Sequence, residues 1–209
     1  INTIEKRLKY KIPNRHKVRG YMIEASKCHV TPSGLAHEQA LVEAAKRNPK
    51  DFDVLYDKYY EPIFRYIYQR VDDKEAAFDA TQQVFLKALG SLHKYEYRGV
   101  PFSSWLYRIA YSEVNDIFRK QKNERTVNID SMAIYNIIEE IQESKVEKYH
   151  DKIVTIISEQ LNEDELQLIE MRFFEKRPFK EIAEILEITE NTAKVRTYRI
   201  LEKLKKILK

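Results

Sequence analysis

Phe179-Lys180-Glu181-Ile182-Ala183-Glu184-Ile185-Leu186, then Glu187-Ile188-Thr189, then Glu190-Asn191-Thr192-Ala193-Lys194-Val195-Arg196-Thr197-Tyr198-Arg199-Ile200-Leu201 is the stretch that decides the fold. Its first part places Ile182, Ala183, Ile185 and Leu186 at the spacing of a short helix with one apolar side. Glu187-Ile188 makes a tight turn. Thr189 is a natural N-cap whose hydroxyl accepts a backbone N–H, and Glu190 adds favourable charge in the first turn. The next helix buries Ala193, Ile200, Leu201, Leu204 and Leu208, leaving Lys194, Arg196, Thr197, Tyr198 and Arg199, with Thr192 before them, on a basic outer face. This pattern is a helix-turn-helix. Its second helix fits the major groove of B-DNA, where each good bidentate Arg or Lys pair discriminates by about 1–3 kcal/mol. The plainer reading is a two-helix corner with a solvated basic face.

Upstream, Ile153, Ile156, Ile157, Leu161, Leu166, Ile169, Met171 and Phe173 extend this C-terminal domain back to about residue 151. A second helical block lies earlier. Ala40, Leu41, Ala44 and Ala45 recur at helical spacing before Asn48-Pro49 stops them, and Phe52 through Ile67 form a stripe that passes Pro62 with a kink expected there. Asp73 opens a helix through Val84 to Gly90. Phe102, Trp105, Leu106, Ile109, Ala110, Val114, Ile117 and Phe118 give another at spacings of three and four. The expected fold is all-α: two small helical domains, 36–122 and 151–209, joined by a flexible linker over 123–150 whose apolar pattern (Ile134, Ile137, Ile138, Ile141) is weak among acidic residues. Residues 1–35 read as a basic flexible extension in which Pro13, Gly20, Pro32 and Gly34 break any helix. The sequence opens on Ile, so Met22 is a candidate initiator and residues 1–21 are candidate non-native sequence.

With 209 residues, 33% charged and 43% hydrophobic, and only 4 Gly and 6 Pro, the composition favours long helices. The net charge of +4 is small, but its distribution is uneven. Residues 1–31 carry 8 Lys/Arg against 2 Asp/Glu, residues 136–170 carry 3 against 10, and residues 189–209 carry 7 against 2. One cysteine, Cys28, forms no internal disulfide and fits a reducing compartment, with cytoplasm the default. No apolar stretch approaches the ~20 residues needed to span a bilayer, so membrane insertion is not expected. No phosphate-binding glycine loop and no metal-ligand spacing among the five His occur, so neither cofactor nor metal is expected.

Between the two helical blocks' motifs, Tyr95, Tyr97, Arg98, Phe102, Trp105, Tyr107, Arg108, Tyr111, Arg119, Lys120 and Lys122 interleave rings with cations. Single-stranded DNA suits such a face, because bases stack on rings for about 1–3 kcal/mol each while Arg and Lys hold phosphates. The competing reading makes Trp105 a core residue, since Phe102, Trp105 and Ile109 share one helical face. A chain that both grips a duplex and opens it needs both activities.

Three motifs, in order, resemble a known family. Asp79-Ala80-Thr81-Gln82-Gln83-Val84-Phe85-Leu86-Lys87-Ala88 resembles the helix of sigma region two that docks on the clamp helices of the largest RNA polymerase subunit. Gly99-Val100-Pro101-Phe102-Ser103-Ser104-Trp105-Leu106-Tyr107-Arg108-Ile109-Ala110 is similar to the adjoining segment that melts and reads the minus-ten element. Leu161 through Leu208 resembles sigma region four, which reads the minus-thirty-five element. With only a linker between them, the resemblance is to the extracytoplasmic-function subgroup of the sigma-70 family. It implies a transcription initiation factor, not an enzyme, with core polymerase (clamp helices, and the beta-subunit flap for region four), promoter DNA and an anti-sigma factor as partners.

Carried over by position, the resemblance assigns Asp79, Gln82, Gln83, Phe85 and Lys87 to polymerase, where the family has Glu at the place of Gln83. It places Tyr97 and Ser112 around the flipped minus-ten base, where Phe and Asn are common, and Arg98, Trp105, Arg108, Tyr111 and Arg119 of the ring-and-cation face are expected on the same minus-ten DNA. Asp116 and Arg119 match an Asp-x-x-Arg ending that also suits an ion pair. Thr192, Lys194, Arg196, Thr197, Tyr198 and Arg199 go to minus-thirty-five DNA. Where the family turn commonly reads Leu-Gly-Ile-Ser, this chain has Leu186-Glu187-Ile188-Thr189, a turn strained by about 1 kcal/mol. Two other classes compete: a dimeric helix-turn-helix repressor or activator that binds an operator without polymerase, and a recombinase using one of the 14 Tyr as nucleophile.

Overall fold

The computed structural model describes residues 32–71, 73–121, 131–141, 157 and 159–208. They divide between residues 126 and 127 into two compact units, and the regular elements among the described residues are all helical.

The first unit begins with α1 (Pro32–Arg47), earlier than the sequence suggests. Pro32 and Gly34 do not break this helix, because a proline in the first turn has no intrahelical N–H bond to lose. Asn48 ends α1 and its side chain accepts the Lys50 N–H, starting a 3-10 turn at Pro49–Asp51 that feeds α2 (Phe52–Val71). Pro62 lies inside α2, where its missing N–H leaves the Lys58 carbonyl without a helical donor, yet the helix continues to Val71. Asp73 caps α3 (Lys74–Ser91), its carboxylate accepting the Ala76 N–H at 2.6 Å. A 3-10 turn at Leu92–Lys94 and the segment 95–101 then lead into α4 (Phe102–Gln121).

Helices α2, α3 and α4 pack around one core. From α2 come Phe52, Leu55, Tyr56, Ile63, Tyr66 and Ile67; from α3 Ala77, Val84, Phe85 and Ala88; from α4 Phe102, Leu106, Tyr107, Ala110 and Val114. Phe85 is fully buried, with ring centroids 4.7 Å from Tyr56, 6.1 Å from Tyr60 and 6.4 Å from Phe52.

The second unit holds α5 (Ser131–Ile141), α6 (Glu163–Ile169) running into a π-helical turn at Glu170–Phe174, α7 (Phe179–Leu186) and α8 (Glu190–Leu208). Helix α5 lies within the stretch read from sequence as flexible linker. It packs on the π turn and α8, with Ile134, Ile137, Ile138 and Ile141 at most 4% exposed. Their i, i+3, i+4, i+7 spacing makes one apolar stripe, and burial of each isoleucine side chain contributes about 1.5–3 kcal/mol, which outweighs the acidic residues between them. Lys205 Nζ also donates to the Ile141 carbonyl at 3.1 Å. The remainder of the expected linker and residues 1–31 of the expected extension lie outside the described residues.

Asn162 and Glu165 form a reciprocal capping box at the start of α6. Before α7, buried Arg177 donates to the Glu181 carboxylate at 2.8 Å, and the Arg172 guanidinium sits 4.7 Å from the Phe179 ring centroid. The turn to α8 takes the expected form. Glu187 is left-handed (φ 55, ψ 40), and the Ile188 N–H reaches back to the Ala183 carbonyl at 3.0 Å. Thr189 caps α8, its hydroxyl accepting the Thr192 N–H at 3.1 Å.

Candidate functional surfaces

On α3, Asp79, Gln83 and Lys87 recur every four residues, so they fall on one side of the helix and all three are exposed. Gln82 is half-buried beside them, donating through Nε2 to the Tyr56 hydroxyl at 3.3 Å. Burial holds that hydroxyl's pKa up at about 12, against the lowering effect of the Gln82 bond. Phe85 does not join this stripe. It points into the aromatic core, because position 85 continues the buried series Ala77, Thr81, Val84, Ala88 rather than the exposed one. Its assignment to polymerase contact is therefore corrected to a core role. Lys87 forms an ion pair with Glu113 of α4.

The second surface is built on segment 95–101 and α4. Tyr95, Phe102 and Trp105 form an aromatic base, with centroids 5.1 Å (Tyr95–Phe102), 5.2 Å (Tyr95–Trp105) and 5.4 Å (Phe102–Trp105) apart. Tyr95 and Phe102 are buried, and Trp105, packed against both, is half-buried. Just beyond Tyr95 in the chain, Tyr97 is 40% exposed and Arg98 is exposed. Gly99 (φ 72) makes the turn between them and α4 in a conformation that a side chain would strain. Further along α4, Ser112 is exposed, Arg108 and Tyr111 are half-buried, and Arg119 donates to Asp116 at 2.8 Å, the ion pair that the Asp-x-x-Arg ending suggests. Arg108 and Ser112 share an open groove of about 430 Å³ with Lys87 and Glu113. The structure thus brings the expected polymerase and minus-ten residues to adjoining faces of one unit.

On α8, Lys194, Arg196, Tyr198 and Arg199 are exposed and Thr192 half-buried. Lys194 pairs with Glu190 at 2.7 Å, and the Tyr198 ring lies 6.2 Å from Phe179. Arg196 and Arg199 line an open groove of about 320 Å³ with Asp164 and Glu165 of α6. Thr197 is corrected: it is 1% exposed, its hydroxyl has no hydrogen-bond partner, and it sits with Ala193, Ile200, Leu201 and Leu204 on the core side. Four residues from Ala193 is one helical turn, which returns Thr197 to the buried face.

The family model of Sigma-70 region 2 matches residues 55–124, and that of Sigma-70 region 4 matches residues 159–206. The ECF RNA polymerase sigma factor BldN of Streptomyces coelicolor is 31% identical over 178 residues, covering 84% of this chain and 67% of BldN. This chain belongs to the ECF sigma factors of the sigma-70 family. The ECF RNA polymerase sigma factor SigX of Bacillus subtilis is 27% identical over 74% of this chain and 82% of its own length. In fold, the chain is similar to CnrH as solved in complex with the cytosolic domain of CnrY, with 16% identity, a TM-score of 0.55, and 82% of this chain and 96% of that chain covered. It is accordingly a transcription initiation factor that works with RNA polymerase at promoters.

Sequence reasoning passed over two residues of this sigma factor. Glu38 is 2% exposed, yet it accepts from Lys58 Nζ (2.6 Å), from the Tyr59 hydroxyl and from the Phe102 backbone N–H (2.6 Å). Lys46 donates to the Tyr95 carbonyl at 2.8 Å. Nothing in the sequence marks either one, because Phe102 lies 64 residues from Glu38, whose other partners Lys58 and Tyr59 are 20 and 21 residues away, and Tyr95 lies 49 residues from Lys46. Among the described residues no group of His, Cys, Asp and Glu could hold a metal, and no helix is long and apolar enough to cross a membrane.

Proposed function

We propose that the first unit serves as region two and the second as region four in a division of labour written on three surfaces. The α3 stripe of Asp79, Gln83 and Lys87, with Gln82 at its edge, docks on the clamp helices of the largest polymerase subunit. Helix α8 reads the minus-thirty-five duplex through Thr192, Lys194, Arg196, Tyr198 and Arg199, while its unit meets the beta-subunit flap. Tyr97, Arg98, Trp105, Arg108, Tyr111, Ser112 and Arg119 hold the opened minus-ten strand.

The observation that carries this reading is the loop tip: an exposed tyrosine and arginine two and three residues from Tyr95, which packs with Phe102 and Trp105, in the same chain as a capped helix with a basic outer face. Extruding a base costs a few kcal/mol, and stacking on Tyr97 or the edge of Trp105 returns about 1–3 kcal/mol per base. Polymerase contacts supply the remainder, so the free protein binds promoters weakly. An anti-sigma partner that covers the α3 stripe would block the first step. Acting on promoter DNA places its work in the cytoplasm, and no catalytic step is assigned to it.

Run-off transcription by core polymerase, with and without this protein, on pooled promoter fragments tests the reading. New specific start sites are expected. Binding and shifting of a duplex operator without polymerase, and no binding to core, would instead make the chain a self-sufficient helix-turn-helix regulator.

A further inference from the structure

Helix α1 touches segment 95–102 at both ends. Near its C-terminal end, Lys46 Nζ donates to the Tyr95 carbonyl at 2.8 Å and stands 5.7 Å from the centroid of the Tyr95 ring. Eight residues earlier, near the middle of the helix, the buried Glu38 carboxylate accepts the Phe102 N–H at 2.6 Å, at the first residue of α4. A carboxylate on a helix N-terminal N–H is a charge-assisted bond in the favourable direction of the helix dipole. Glu38 is itself fixed by Lys58 Nζ at 2.6 Å and by the Tyr59 hydroxyl, and the Tyr59 ring lies 6.1 Å from that of Phe102. Lys46 is held in turn by Glu43 at 2.9 Å. The two anchors are eight residues apart in sequence, about 12 Å along the axis of α1. The loop between its two tethered ends carries Tyr97, Arg98 and Gly99.

We infer that α1 is a positioning clamp for the base-capturing loop: Glu38 and Lys46 fix its two ends, so that Tyr97 and Arg98 are held ready before DNA arrives. The inference rests on the reading of that loop as the minus-ten capture site, and both residues lie outside the segment 55–124 that matches region 2. Neither touches DNA. A loop held in its working geometry spends less stacking energy on ordering itself, and that energy is then available to drive opening. The clamp therefore matters where the duplex must be opened and little where it is open already.

The test uses the full chain with core polymerase on one promoter in two forms, fully duplex and pre-opened across the minus-ten element. The variants are Glu38→Gln, Lys46→Met, Lys46→Arg and Tyr97→Ala. Glu38→Gln and Lys46→Met are expected to lose at least about tenfold in open-complex formation on the duplex and to stay within about threefold of the parent on the pre-opened form. Core binding should be unchanged, and Lys46→Arg, which keeps the donor, should restore duplex activity. Trp105, the single tryptophan, packs against Tyr95, so its emission should shift in both defective variants. Equal losses on both templates, in step with weaker core binding or a lower melting temperature, would reduce Glu38 and Lys46 to fold stabilisers and overturn the clamp. Parent-like activity of both, with Tyr97→Ala defective, would overturn the clamp while leaving the capture site standing. If Tyr97→Ala is also silent, the loop is not the capture site and both readings fall.

Discussion

Thr197 shows how one helical position separates an exposed residue from a packing one, and Glu187 how one turn position sets a local strain. Thr197 lies between Arg196 and Tyr198, both exposed, but faces the core with a hydroxyl that finds no partner. Valine has the same shape without the polar group, so Thr197→Val should stabilise the protein by about 1 kcal/mol and leave affinity for a minus-thirty-five duplex unchanged. Urea unfolding and a duplex-binding titration check both halves; a changed base preference would return Thr197 to the DNA surface. Glu187 holds φ 55 in the turn before α8, a left-handed conformation that costs a residue with a Cβ about 1 kcal/mol relative to glycine. Glu187→Gly is accordingly expected to raise the melting temperature of the second unit without touching α8, and an unchanged or lowered value would show that the Glu187 side chain offsets its own strain. That strain was legible in the sequence from a single letter where the family has Gly. The inward turn of Thr197 is legible too, one helical turn from Ala193, although its basic neighbours give the stretch the composition of a solvent-facing surface.

At the scale of elements, periodicity identified α2, α3, α4, α7 and α8, because each carries a long apolar stripe bounded by a cap or a breaker such as Asp73, Asn48 or Thr189. Helix α5 escaped. Its four isoleucines have helical spacing, but eleven residues form a helix in water only when something covers the apolar side, and that cover comes from the π turn and α8, far off in sequence. Ile138→Ala should therefore cost about 2–5 kcal/mol in urea unfolding, as in other buried large-to-small substitutions; a flexible linker would show no change. The packing of α2 against α3 makes a different prediction. Tyr56 and Tyr60 both lie against Phe85, and burial raises both hydroxyls, Tyr56 to about 12 and Tyr60 further still. An unfolded tyrosine ionises near pH ~10. The folded state thus holds protons that the unfolded state releases, so this contribution is complete below about pH 10 and is lost as pH rises toward about 12. Circular dichroism should show the first unit melting progressively over that window, and Tyr60→Phe should weaken the dependence. A pH-independent signal up to 12 would mean that the two rings ionise as freely when folded as when unfolded.

For the molecule as a whole, the question is why a chain with promoter-reading surfaces should need polymerase. The net charge is only +4, and among the described residues several surface cations are already engaged: Lys194 with Glu190, Arg119 with Asp116, Lys87 with Glu113, Lys203 with Glu165. Exposed pairs of this kind are worth at most about 1 kcal/mol, so phosphates can displace the carboxylates, but each displacement subtracts from the gain. Helix α8 offers Lys194, Arg196 and Arg199 to a duplex, and Asp164 and Glu165 line the same groove as the two arginines. About three released counterions give a slope near −3 in log affinity against log salt, shallow beside that of strong duplex binders. The free chain should then bind a minus-thirty-five duplex weakly, with Arg199→Ala reducing the slope by about 1. With core polymerase, by contrast, the proposed stacking contacts of the first unit would come into play, and stacking on rings releases few counterions. Titrations of both forms across a salt series decide the matter. Affinity gained on adding core with no comparable steepening of the slope means that capture of the opened strand contributes the difference. A slope that steepens in proportion to the gain would assign it to polymerase cations, leaving the aromatic loop a minor part in holding the promoter.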